Sequence, residues 1–208
     1  MVKNNHVLIT GMQRSGTTFT AQILRNSGAF TYLPEPFNPD YGIEGVDSHY
    51  SWLDLENRDD KNKLLLHKLF TYSARFKKNY ERDSIIKKTA KYILGTKAER
   101  RYKLQGLFNK KKCRFLIKDP DAVFLSEYIA QNFNCQVLFI IRHPCAVLAS
   151  YKRLEWDIDF HPIMKMDLIH DNPILSYTPK IKNDKITLIE KVAILWVVIN
   201  KKLSVYTR

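Results

Sequence analysis

The sequence predicts an α/β fold, with a central parallel sheet flanked by helices in three layers. Two observations predict it. Apolar runs at residues 7–9, 114–117 and 135–141 have the length and composition of strands. Each is followed by a turn and then by a segment with apolar residues at helical spacing, the alternation that builds parallel sheets. The 208 residues suffice for one such domain with a sizeable core. The chain is 45% apolar and 26% charged, ordinary for a globular protein.

The first unit carries the clearest chemistry. Val7, Leu8 and Ile9 read as a buried strand, and Gly11 and Gly16 bound a turn. Phe19, Ala21, Ile23 and Leu24 then mark one face of a helix over residues 17–24. Strand, glycine loop and helix form a phosphate cradle, because loop N–H groups and the positive end of the helix dipole converge on one anion. Ser15, Thr17 and Thr18 add hydroxyl donors, and Arg14 adds a forked cation. The glycine spacing is that of the nucleotide-triphosphatase loop, but Thr17 stands where that loop has lysine. That lysine reaches the β and γ phosphates, so its loss argues against ATP or GTP chemistry. The plainer alternative is a glycine turn that only starts a helix.

Residues 11–18, GMQRSGTT, resemble the 5′-phosphosulfate loop of the sulfotransferases. These enzymes use 3′-phosphoadenosine 5′-phosphosulfate (PAPS) and release PAP. The arginine form of the loop is similar to the carbohydrate and tyrosylprotein branches. The resemblance implies a P-loop-like fold and cofactor contacts from Gly11, Gln13, Arg14, Ser15, Gly16, Thr17 and Thr18.

Past the first helix, Asn26, Ser27 and Gly28 signal a stop, and residues 30–33 read as a short second strand. It runs into Pro34-Glu35-Pro36, at the sheet end where open α/β proteins bind ligands. The flanking prolines restrict the backbone around Glu35. By resemblance to the carbohydrate branch, Glu35 is the base that deprotonates the acceptor. Without it, Glu35 is a surface carboxylate in a turn. Residues 41–110 mix aromatic and charged side chains. A helix is expected over residues 61–76, and the cations of residues 87–103 are candidates for docking acceptor or nucleotide.

The strand at 114–117 ends in Lys118-Asp119-Pro120, with Asp119 and Pro120 placed to start a helix over residues 121–132. Lys118 stands at a strand's carboxyl end. A similar K-D-P in the tyrosylprotein branch implies contact with the transferring group; alone, such a lysine faces solvent. The run at 135–141 reads as a strand buried on both faces. It ends in Arg142-His143-Pro144, before a helix over residues 145–153 that carries Ser150. In the sulfotransferases this arginine–serine spacing binds the 3′-phosphate, which assigns Arg142 and Ser150 to the cofactor. Residues 155–177 look like a loop, in which His161 and His170 lack a third metal partner. A largely buried helix is expected over residues 186–206.

The net charge of +13 favours anionic partners, although each lysine cluster alone reads as a solvated face. Cys113, Cys135 and Cys145 lack metal-ligand spacing and read as buried free thiols of a reducing cytosol. The first strand begins within a few residues of Met1, and the longest apolar run, 192–199, is too short to span a bilayer. A cytoplasmic location, with no membrane span, is therefore expected. The family normally continues beyond the last helix, so a single domain over residues 1–208, cut short at its C-terminus, is expected.

The resulting expectation is a PAPS-dependent sulfotransferase needing no metal. Glu35, Lys118 and Arg14 are catalytic, and the acceptor is a hydroxyl compound, carbohydrate favoured. The alternatives are a non-catalytic module that holds PAP or an acidic glycan and, against Thr17, a P-loop kinase of small molecules. Nucleic acid would explain the charge but not the ordered motifs, so it is not an expected partner.

Overall fold

A computed structural model describes residues 5–53, 60–77, 97–108, 114–164, 177–182 and 186–205. Its described strands form one parallel sheet in the order β2-β3-β1-β4. These are β1 (His6–Thr10), β2 (Thr31–Pro34), β3 (Phe115–Lys118) and β4 (Cys135–Phe139). Successive side chains of each strand face opposite sides. On one side Ile9 and Leu116 pack under α1 (Thr17–Arg25), through Ala21 and Leu24. On the other, Leu8, Leu33, Phe115 and Ile117 meet α2 (Lys61–Phe70), α3 (Lys97–Phe108) and α4 (Ser126–Asn132). The sheet with helices on both faces is the expected α/β fold.

A second apolar cluster sits at the carboxyl end of β4. There α5 (Pro144–Arg153) packs on α8 (Leu188–Val205), with Met12 of the first loop and Ile163 of α6 (His161–Met164). A short helix, α7 (Thr178–Ile181), precedes α8.

Several expectations need correction. The helix expected to reach residue 76 ends at Phe70, because Tyr72 turns the chain with φ 65° and Phe76 instead bridges to Ile43. The segment after Lys118 first forms a 3-10 helix (Pro120–Leu125), started by the Asp119 carboxylate accepting from the Asp121 N–H, and only then α4. The strand read as buried on both faces is half exposed, with Leu138 40% accessible. β4 is an edge strand among the described residues, and α1 covers β1 and β3 rather than β4. Cys145 is exposed on the first turn of α5, whereas Cys135 is buried and its thiol pushed up to about 12 by desolvation. Cys113, His170 and the cations at 87–96 lie outside the described residues.

Candidate active site

A cleft of about 860 Å³ opens at the carboxyl ends of the strands. The loop between β1 and α1 forms one wall. Gly11 has φ +141°, and a Cβ there would lie 2.4 Å from the Ile140 carbonyl oxygen, so only glycine lets β4 pass this closely. Arg14 also takes a left-handed conformation, and Gly16 closes the turn at φ 107°. No side chain caps α1, and no acidic residue sits in its first turn. The first N–H groups of α1 thus face the cleft without an intramolecular cap. The Ser15 hydroxyl is buried without a partner. An uncapped helix start, an orphaned hydroxyl and a glycine cradle suit an anionic group.

Arg14 is tied into the loop from three sides. Its Nε donates to Ser150 Oγ at 2.9 Å, and its guanidinium lies 5.3 Å from the centre of the Trp156 ring. Its carbonyl accepts from Arg142 Nη1 at 3.0 Å. The turn after β4 and the helix α5 therefore bring Arg142 and Ser150 to the same loop, one exposed and one buried. Thr17 is buried and Thr18 exposed, and both line the cleft.

The other wall comes from sheet register. Pro34 pairs with Lys118 across β2 and β3, and the Glu35 N–H donates to the Lys118 carbonyl at 2.7 Å. Parallel pairing thus sets two residues 83 apart in sequence side by side. Lys118 is 6% exposed, and its Nζ pairs with Glu35 Oε1. Tyr41 Oη and Asn38 Nδ2 donate to Oε2, the latter at 3.3 Å. Glu35 holds this position at φ 44°. Burial and the bond to Glu35 push the Tyr41 phenol well above its ordinary range, so it stays a donor.

A buried acidic pair lies behind Lys118. Asp119 accepts from the Phe37 N–H at 2.6 Å, which pins the loop that carries Glu35. Burial, then the charge of Asp121, raises the Asp119 pKa. Asp121, 1% exposed, contacts Gln13 Nε2 through Oδ1 at 3.3 Å and His49 Nδ1 through Oδ2 at 3.1 Å. Tyr151 donates to Gln13 Oε1 at 3.1 Å.

Gln13, Arg14, Gly16, Thr17, Thr18, Glu35, Lys118 and Arg142 therefore border one cleft, Gly11 and Ser15 build its loop, Ser150 reaches that loop through Arg14, and Glu35 and Lys118 touch. Tyr41, Asn38, His49 and Asp121 were not legible. None belongs to a motif; Tyr41, Asn38 and His49 reach the cleft through loop folding, and Asp121 through the 3-10 helix after β3. Asp121 carried the nearest signal, an acid two residues from the strand-end Asp119. His161 is exposed at the start of α6. Among the described residues no three His, Cys, Asp or Glu side chains cluster for a metal, and no helix is long and apolar enough to cross a membrane.

A parallel sheet, a glycine loop leading into an uncapped helix and a glutamate–lysine pair at the strand ends are the parts of a phosphate-loop-type α/β domain. The chain belongs to the Sulfotransferase family, whose model matches residues 6–168. Membership makes it a transferase of sulfuryl groups, acting in general on a hydroxyl-bearing acceptor. No curated protein matches the chain.

Proposed function

We propose that this protein is an enzyme that transfers a sulfuryl group from PAPS to a carbohydrate hydroxyl, with Glu35 as the base. The observation that carries the reading is the meeting of two opposed walls in one cleft: an uncapped α1 with its orphaned Ser15 hydroxyl, and the Glu35–Lys118 pair. PAPS, when bound, supplies the activated sulfuryl group. Gly11, Gln13, Ser15, Gly16, Thr17 and Thr18 would hold its 5′ end, and Arg142 with Ser150 its 3′-phosphate, where a planar guanidinium suits a dianion.

Transfer of this kind is driven mainly by positioning and by charge placed where the leaving oxygen becomes negative. Lys118 and Arg14 supply that charge. Glu35 takes the acceptor's proton at Oε1 once Lys118 turns from it to the developing charge, while Tyr41 and Asn38 keep Oε2 fixed. A positioned base contributes about 10²- to 10⁴-fold.

The test is a thermal-shift titration with PAP beside ATP and Mg²⁺, followed by Glu35→Gln. The reading expects a rise in melting temperature with PAP alone. It expects Glu35→Gln to keep that rise and lose turnover by the factor above. Stabilisation only by ATP with Mg²⁺ points to the kinase alternative. Turnover retained in Glu35→Gln removes Glu35 from the mechanism. PAP binding without sulfated product on any acceptor leaves the non-catalytic module.

A further inference from the structure

His49 lines the cleft from the loop between β2 and α2 that also carries Glu35, outside every motif read from the sequence. Its Nδ1 meets Asp121 Oδ2 at 3.1 Å, and Asp121 is buried. Asp121 is also the partner of Gln13 in the glycine loop, so one carboxylate contacts both a residue of that loop and a residue of the loop that carries Glu35. The His49 side chain stays 41% exposed, and its Nε2 has no protein partner among the described residues. A ring serving only to neutralise Asp121 has no reason to border the cleft with its second nitrogen free.

The geometry points to His49 as an acceptor-orienting residue, whose Nε2–H holds the oxygen adjacent to the reacting hydroxyl, so that the acceptor is a vicinal diol of a sugar. This rests on the reading of Glu35 as the base and deepens it. Glu35 takes the proton of one hydroxyl and His49 grips its neighbour. Asp121 touches His49, and the charges of Asp40 and of Glu35, itself paired with Lys118, act on the ring. The bond to Asp121, then its charge and those of Asp40 and Glu35, outweigh burial and raise the His49 pKa, which favours the imidazolium, the form in which Nδ1 donates to Asp121 and Nε2 is a donor as well.

The experiment measures PAPS-dependent sulfation of methyl glycopyranosides and their disaccharides. Each parent is paired with its deoxy analogue lacking the neighbouring hydroxyl. Wild type, His49→Ala and His49→Gln are compared from pH 5.5 to 9, and PAP thermal shifts are recorded for each. A hydrogen bond to a charged group is worth about 1.5–3 kcal/mol, so His49→Ala should raise the parent's KM about 10- to 150-fold with a smaller change in kcat. His49→Ala should treat parent and deoxy acceptors alike. His49→Gln keeps an N–H donor and should recover part of the affinity. The wild-type KM should climb with rising pH as the imidazolium loses its proton, and His49→Gln should lose that limb. Undiminished discrimination in His49→Ala, or the same KM limb in His49→Gln, overturns the assignment. So does an absence of turnover on every sugar while PAP still stabilises the protein. A protein that PAP does not stabilise fails at the donor reading itself, and that outcome is told apart by the thermal shift.

Discussion

Lys118→Met tests the Glu35–Lys118 wall of the cleft without touching the glycine loop. The substitution removes a 6% exposed cation and leaves the Glu35 carboxylate beside buried Asp119 and Asp121. Breaking a buried ion pair by deleting one partner costs about 3–5 kcal/mol when the remaining charge is left uncompensated. Glu35 retains donors from Tyr41 and Asn38, and its side chain is 17% exposed at the cleft. These donors and the solvent at the cleft mouth partly compensate the stranded carboxylate, which puts the expected loss below that range, at about 2 kcal/mol. For a chain of this size that is a fall of about 4–8 °C in melting temperature. Adding Glu35→Gln removes the stranded charge, so the double variant should recover at least half of the loss. Urea unfolding followed by circular dichroism, beside thermal melts of all four proteins, reads both quantities. A Lys118→Met protein as stable as wild type, or a double variant less stable than Lys118→Met, would refute the argument that the two side chains compensate each other.

Two further outcomes are expected. Arg142→Ala should weaken PAP binding by about 10- to 100-fold, the value of a charge-assisted bond to phosphate, and should bind PAP and AMP alike because only PAP carries the 3′-phosphate. Calorimetric titration checks it, and Ser150→Ala should show a smaller loss. His6 is held at a pKa of about 4 by burial and by the Arg114 charge, while its Nδ1 accepts from the Phe115 N–H at 2.9 Å. The unfolded chain, with an ordinary imidazole, binds the proton first. Stability should therefore be complete above pH about 6.5 and should fall as the pH drops from there toward 4. His6→Asn, which keeps an acceptor for Phe115, should flatten that part of a stability–pH curve. An unchanged slope would exclude His6 as its source.

The legible part of this protein is the part that local chemistry dictates. Apolar runs closed by Gly11, Asp119 and Pro144 specify where strands end and helices begin, because a turn, a cap and a proline each act over a few residues. The glycine loop was readable for the same reason, since its donors are backbone groups of one continuous segment. Sequence alone therefore determined the α/β class, the position of the loop and the strand-end placement of Glu35, Lys118 and Arg142. It did not determine which strand is an edge, so β4 read as buried on both faces. Nor did it show that Lys118 pairs with Glu35, which follows from the β2–β3 register. Ser150 reaches Arg14 over 136 residues, and His49 reaches Asp121 over 72. Such contacts depend on the packing of loops against the sheet, and no local pattern encodes them. The tertiary structure alone decided that the glycine loop, Glu35 and the Asp121–His49 pair share one cleft, because only folding brings the ends of separate parallel strands to the same edge.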